Sequence, residues 1–313
     1  SWGLTGDRST AVIEMATASG LALLKPLECN PLITSTVGTG ELIRAALRQG
    51  VNKILIGIGG SATNDGGMGM ARALGVRFLD RRGRELPEGG GALRQLARID
   101  MQGLERRLLE GVDLELACDV TNPLTGPRGA SAVYGPQKGA TPRMVAQLDA
   151  GLQQLAAIIQ RDIGIDVEKV PGAGAAGGLG AGLLAFLGAR PRSGVQIIME
   201  VTDLPRRLRG CDLVITGEGR LDVQTISGKA PGGVAKAAKT LGIPVIALCG
   251  SVAPDAGAVL KLGIDAYFSA LEQIIPESEL PVLGPGMLER CAAQVGRLLA
   301  FNLRNDRGIQ KKY

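Results

Sequence analysis

The chain has 313 residues, 45% apolar and 21% charged, an ordinary globular composition whose length favours two domains. Thirty-five Lys and Arg against 30 Asp and Glu leave a net charge of +5, part of it in Arg304, Arg307, Lys311 and Lys312, so a basic tail accounts for the excess as well as a polyanion surface does. Four Phe, one Trp and three Tyr are too few for a base-stacking platform, and the absence of histidine excludes Ser-His-Asp and Cys-His catalysis and His-ligated metals.

Any acid or base must therefore be Asp, Glu, Lys, Tyr or Cys. The five cysteines are odd in number, widely spaced and without a CxxC pair, as expected of thiols in a reducing, cytoplasmic setting. Ser1 is not preceded by Met or by a signal-peptide pattern, and the chain enters almost at once into a strand, so it reads as a fragment of a longer one.

In chain order, 10–15 is a strand candidate, and a loop with Pro26 and Pro31 leads to a predicted helix over 40–49 that Gly50 ends. Next comes KILIGIGGSATNDGG at 53–67: an apolar run, a break into glycine, polar residues, then a helical pattern from Met68 to Leu74. Glycines let a ligand approach the backbone, and free N–H groups at a helix start attract anions. Gly59, Gly60, Ser61, Ala62 and Asn64 are thus candidates for binding a phosphate or carboxylate, with Asp65 as a candidate metal ligand. A tight strand-to-helix turn with no ligand explains the pattern equally well.

The strand 113–118 ends in CDVTNPLTGPRGA, which places Asp119, Thr121 and Asn122 just beyond its C-terminal end, where open parallel sheets bind ligands. An Asp there suits a hard cation, although Asn122-Pro123 is also strong turn chemistry. Lys138, in Gly135-Pro-Gln-Lys-Gly139, could contact phosphate and could equally be a surface residue. A long amphipathic helix is predicted over 142–163. The uncharged segment 171–189 is long enough to weigh as a membrane span, but seven glycines argue for a glycine loop running into a buried helix. Its GxGxxG at 172–177 follows a poor strand, so a dinucleotide site, and with it a nicotinamide-dependent oxidoreductase, is weakly supported.

Pro191 and Ser193 mark a boundary between a domain over 1–192 and one over 193–303, with a basic tail at 304–313. The second domain alternates strands (213–216, 245–248, 266–269) with helices (195–201, 234–241, near 256–262, 287–303), the pattern of a three-layer parallel domain with only three strands. GEGRLDVQTISGKAPGG follows its first strand, so Glu218, Arg220 and Asp222 fall at the sheet edge; a simple ion pair at a loop is the competing account. Ser227-Gly228-Lys229 resembles the end of a Walker loop but fails its spacing. Phosphoryl transfer needs an anion cradle, a carboxylate for Mg²⁺, fixed cations and a proton acceptor. Here Gly59 to Ala62 can cradle, Asp65 and Asp119 can hold metal, Lys138, Arg220 and Lys229 can neutralise charge, and Glu218 and Asp222 can orient or deprotonate a hydroxyl.

IGIGGSATNDGG at 56–67, CDVTNPL at 118–124, GPQKGA at 135–140, PGAGAAGGLG at 171–180 and VITGEGRLD…SGK at 214–229 together resemble the bacterial glycerate kinase family, type I, in order from Ser1 to about Phe301. The resemblance implies ATP- and Mg²⁺-dependent phosphorylation of D-glycerate, in most of the family to 2-phosphoglycerate. It also implies two α/β domains, one a Rossmann-like parallel sheet and the other mixed α/β, with the site in the cleft between them. On these terms Glu218, Arg220, Asp222 and Lys229 are candidate catalytic residues, while Asn64, Asn122, Lys138 and Ser227 join the glycine turn in binding substrate or phosphate. Neither nucleic acid nor membrane is an expected partner. The family's leader, with a PDSFK-like loop and later a DGGEG-like loop, does not occur here, so an incomplete Rossmann-like sheet is expected, and a non-catalytic anion-binding module or an inactive truncated kinase are the alternatives.

Overall fold

Ile54, Leu55 and Ile56 are all buried, as an uninterrupted apolar run demands of a strand covered on both faces. They lie at the centre of the first of two units in a computed structural model that describes residues 2–222, 225 and 229–306. The first unit extends to Gly194 and the second begins at Val195. Both are α/β.

The first unit carries β1 (Trp2–Leu4), β2 (Thr10–Glu14), β3 (Lys53–Gly57), β4 (Arg77–Leu79), β5 (Arg98–Asp100), β6 (Asp113–Ala117) and β7 (Arg190–Arg192). Five of them form one sheet in the order β1-β2-β3-β6-β7. β1 is antiparallel to β2, and the remaining pairings are parallel. β4 and β5 make a separate antiparallel pair. The parallel register sets Gly57 beside Ala117, so the loops that follow β3 and β6 leave the sheet at the same edge.

The division into units falls between Gly194 and Val195, and residues 190–192, beside the expected boundary, form the strand β7. Its sequence, Arg-Pro-Arg, lacks apolar alternation, and proline is tolerated because the strand lies at the sheet edge. Charge holds it in place. Arg190 pairs with Asp113, and Arg192 meets both Glu115 oxygens at 3.0 and 3.1 Å. Lys53 reaches the same Glu115 at 3.0 Å. Burial pushes the Glu115 carboxyl up, but the hydrogen bonds from Lys53 and Arg192 outweigh it and hold the group below its ordinary value.

The segment 171–189 folds as anticipated, into a glycine turn and a buried helix. The helix Ala175–Leu187 has non-helical, left-handed residues at Ala176, Gly177 and Gly178. No helix among the described residues is long and apolar enough to cross a membrane. Several of the glycines allow close contact between main chains. Gly66 N–H donates to the Gly177 carbonyl at 3.1 Å. A Cβ on Gly177 would stand 2.0 Å from the Thr63 carbonyl oxygen, and one on Gly182 2.7 Å from that of Gly66. The helix thus lies backbone to backbone on the turn after β3. Phe186, from the same helix, meets Phe78 edge to face with ring centroids 5.5 Å apart.

The second unit has β8 (Val214–Thr216), β9 (Arg220–Leu221), β10 (Val245–Cys249), β11 (Ser251–Val252) and β12 (Ala266–Ser269). β12-β10-β8 is a parallel three-stranded sheet, and β9 pairs in parallel with β11. Val245, Ala247 and Cys249 point into a separate small core with Ala235, Ala238 and Val259. The last helix begins at Leu280, seven residues before the expected start, and takes Pro281 in its first turn, where no N–H is needed, and Pro285 in its interior.

Gly177→Ala is expected to cost roughly 2–5 kcal/mol, from left-handed strain plus the collision with Thr63. Gly188→Ala shares the positive φ but meets nothing within 4 Å, and it should cost only about 1–2 kcal/mol. Denaturant unfolding of both variants checks the difference; equal losses would remove the contact argument.

Candidate functional site

The turn after β3 is organised by one buried carboxylate. Asp65 is fully buried. Its Oδ2 accepts from Thr36 N–H at 2.9 Å, Thr36 Oγ1–H at 2.8 Å and Gly69 N–H at 3.1 Å, while Oδ1 accepts from Gly67 N–H at 3.2 Å. Burial pushes the Asp65 carboxyl above its ordinary value, and these four donors pull against it. With both oxygens taken up by the chain itself, Asp65, the sequence's first candidate metal ligand, fastens the turn to the start of the helix Val37–Leu47. Asn64 is buried as well, its Oδ1 accepting from Ser131 Oγ. The Ala62 amide is spent on the Ser19 carbonyl. Neither residue lines the cavity where the loops after β3 and β6 meet.

Gly59, Gly60 and Ser61, by contrast, line a cavity of about 270 Å³ together with Asp119, Tyr134 and Lys138. The loops after β3 and β6 meet here, as the crevice rule anticipates for parallel strands. Lys138 enters from a 3-10 turn, Pro136–Lys138, that closes on Gly139 with φ +88; a Cβ there would stand 2.3 Å from the Cys29 carbonyl. The side chain is only 1% exposed. Its Nζ donates to Ser61 Oγ at 2.6 Å and to the Thr63 carbonyl at 2.7 Å. Burial lowers its pKa to about 7, although the nearby Asp65 pulls it back up. Thr63 Oγ1 and Asn64 Nδ2, beside this contact, are buried without a hydrogen-bond partner among the described residues. Unsatisfied polar atoms of this kind cost about 1–3 kcal/mol each, and such costs recur at functional sites.

Asp119 Oδ1 accepts from Ser193 Oγ–H and Gly194 N–H, both at 3.0 Å, while Oδ2 has no hydrogen-bond partner among the described residues. One carboxylate with a free oxygen matches what Mg²⁺ takes from protein when substrate and water complete its shell. Asn122 does not join the cavity. Its amide donates to the Arg128 carbonyl and its Oδ1 accepts from Tyr134 O–H at 2.7 Å, so it is turn structure. Sequence reasoning missed Tyr134, whose only signal is its place directly before Gly135-Pro136. Burial pushes the Tyr134 phenol and the Cys118 thiol up, so both walls are neutral at pH 7.

In the second unit, Lys229 Nζ stands 3.3 Å from Asp222 Oδ1 and 3.5 Å from Glu218 Oε2. The Thr225 hydroxyl donates to Glu218 Oε1. Glu218, Asp222 and Lys229 are therefore one cluster, and Arg220, exposed on β9, makes no ion pair among the described residues. Ser227 lies outside the described residues. Glu218 also borders a cavity of about 850 Å³ at the C-terminal ends of β8, β10 and β12, lined largely by apolar residues such as Leu248, Leu271 and Met287. Its volume lies within the range of nucleotide-sized sites.

Asp65→Ala, which strands three N–H groups and a hydroxyl, is expected to lower unfolding free energy by about 3 kcal/mol or more, whereas Asp119→Asn should change it by less than about 1 kcal/mol. The Lys138 pKa in the folded chain, about 7, lies below the 10.5 of an unperturbed lysine. Between those values the unfolded chain binds the proton and the folded chain does not, so stability should rise with pH from about 7 to about 10.5. Chemical denaturation across that range should show this rise in the wild type and not in Lys138→Met.

A profile described as the glycerate kinase family matches residues 1–300. A glycerate kinase of Halalkalibacterium halodurans is 51% identical over 96% of this chain and 79% of its own length. A glycerate 2-kinase of Escherichia coli K12 is 49% identical over 97% of this chain and 80% of its own. A crystal structure from Salmonella typhimurium LT2, provisionally assigned as glycerate kinase 2, superposes with a TM-score of 0.83 at 48% identity, covering 97% of this chain and 79% of that one. The chain belongs to the glycerate kinase family.

Proposed function

We propose that this protein is a kinase that phosphorylates D-glycerate with ATP and Mg²⁺ in the cytoplasm, giving 2-phosphoglycerate. Beyond family membership, the observation that carries the reading is the cavity where Gly59, Gly60, Ser61 and Lys138 gather donors beside the Asp119 carboxylate. Such a set neutralises and positions an anion, which is most of what phosphoryl transfer asks of a protein. The cytoplasmic assignment is supported by five cysteines that are all free thiols.

In this reading Asp119 contributes a carboxylate oxygen to Mg²⁺, which when bound offsets charge on the transferring phosphoryl group. The cluster of Glu218, Asp222 and Lys229 works at the reacting groups. Lys229 offsets anionic charge, and one of the two carboxylates orients the acceptor hydroxyl and takes its proton as the O–P bond forms and ADP leaves. Arg220, without an ion pair among the described residues, supplies a further cation. The 850 Å³ cavity beside Glu218 accommodates the nucleoside.

Coupled detection of ADP should show turnover only when D-glycerate, ATP and Mg²⁺ are all present, with ³¹P NMR assigning the product to the 2-position. Asp222→Asn and Lys229→Ala should each lower kcat by about 100-fold. Near-normal rates would take those residues out of the site, and no D-glycerate-dependent ADP would reject the activity.

A further inference from the structure

After β4 the chain turns through Asp80-Arg-Arg-Gly-Arg84 and comes back beside Leu79 at Glu85. Asp80 is consumed by its own turn. Its Oδ1 accepts from the Arg82 and Arg84 N–H groups at 2.7 and 3.0 Å, and its Oδ2 from Arg84 Nε at 2.9 Å and Arg84 Nη2 at 2.8 Å. Arg81 and Arg82 have no ion pair among the described residues. Both line a cavity of about 450 Å³. Its other walls are the 3-10 helix Gly90–Gln95, which contributes Arg94, and the helix Pro142–Asp162, which contributes Gln154. Gln154 Nε2 is spent on the Leu96 carbonyl at 2.8 Å. Arg94 is exposed and, like Arg81 and Arg82, has no ion pair among the described residues. Four guanidinium groups therefore meet one carboxylate, and that carboxylate is already matched by Arg84.

The walls are firmly mounted. A Cβ on Gly90 would stand 2.2 Å from the Asn64 carbonyl oxygen, and one on Gly151 3.1 Å from Leu93 Cβ. The Gly91 N–H donates to the Leu32 carbonyl at 2.9 Å. The short helix that carries Arg94 is thus pressed onto the turn after β3 on one side and onto the long helix on the other. On the hairpin side, the four bonds to Asp80 fix the backbone that carries Arg81 and Arg82. Groups held in this way lose little freedom when a ligand arrives.

Unmatched like charges around one hollow repel one another, and an anion relieves that repulsion. A guanidinium presents its N–H groups as a planar fork that fits carboxylate and phosphate oxygens two at a time. The volume lies in the range of small-molecule sites, and the basic groups gather around a hollow instead of running along a face, as a nucleic-acid strand would require. A phosphate ester carries up to about two negative charges, and a carboxylate adds one, which matches the three unengaged arginines. We propose that this hollow is a second anion site, for a compact phosphate ester that also bears a carboxylate, held by Arg81, Arg82 and Arg94. It shares no lining residue with the cavity between the loops after β3 and β6, so it stands apart from the kinase reading.

Calorimetry on the whole chain at low salt and near-neutral pH tests the site. The probes are phosphoenolpyruvate, inorganic phosphate and acetate. The proteins are wild type, Arg94→Gln, the paired Arg81→Gln and Arg82→Gln variant, and Arg143→Gln, a basic residue outside the hollow. Wild type should bind phosphoenolpyruvate, inorganic phosphate about tenfold more weakly, and acetate not measurably. Arg94→Gln and the paired variant should each weaken phosphoenolpyruvate by about tenfold, while Arg143→Gln leaves it unchanged. Phosphoenolpyruvate should also raise the thermal midpoint of wild type and not that of Arg94→Gln. Should Arg94→Gln unfold on its own account, the paired variant decides. Phosphoenolpyruvate held equally by wild type and both cavity variants would put it elsewhere on the protein and overturn the proposal. So would no binding by wild type, equal weakening in Arg143→Gln, or inorganic phosphate bound as tightly as the ester. D-Glycerate turnover in Arg94→Gln without the ester should match wild type, so a failed kinase assay and a failed anion site read out separately.

Discussion

A single buried carboxylate governs the first unit. Asp65 gathers a helix start, a hydroxyl and two glycine amides onto its two oxygens. Burial alone would make an ionised Asp there expensive, and the four donors are what make the position tenable. Because Thr36 stands at the head of one helix and Gly69 lies inside the next, the carboxylate ties together elements 29 and 4 residues away in sequence. The Gly59–Ser61 edge of the same turn is thereby left free to face the cavity. Lys138 then supports the turn at Ser61 and Thr63. A rigid floor with an uncommitted rim is what binding demands, since groups already held in place lose little freedom when a ligand arrives.

The second unit follows another plan. Its candidate residues lie on short segments beyond and between parallel strands, with Lys229 at 3.3 Å and 3.5 Å from two carboxylates. These are loose, partly exposed pairs, worth little to stability. Their arrangement makes sense as a charge reserve for a ligand, because a lysine shared between two acids is easily drawn to a stronger anion. The three-stranded sheet beneath them is small, and its core of Val245, Ala247 and Cys249 is correspondingly modest.

Much of this was legible beforehand, for identifiable reasons. A short apolar run such as 54–56, β-branched and broken by glycine, reads as a buried strand, and the heptad-like spacing of Leu148, Leu152, Leu155 and Ile159 gives a long helix, observed as Pro142–Asp162. Gly59, Gly60, Ser61, Lys138 and Asp119, named as candidates because glycine turns and strand ends mark ligand edges, come together around one cavity. Asp65, Asn64 and Asn122 carried the same polar signature but point inward or into the chain's own turns. Sequence cannot tell a carboxylate that binds a metal from one that binds backbone amides, since both need oxygens at a helix start. β7 escaped notice because its cohesion comes from Asp113 and Glu115, some 77 residues away, and not from any local pattern. The GxGxxG of 172–177 was a weak signal for a related reason: glycine is required wherever two main chains touch, with or without a nucleotide.

That contact limits how the protein can diversify. Where Gly177 and Gly182 rest on residues 63–66, main chain meets main chain, and there are no side-chain atoms to trim or enlarge. A change in the shape of this cavity must therefore act through its other walls, at positions such as Tyr134, Gln137 and Ala176, while the main-chain platform beneath has nothing to trim.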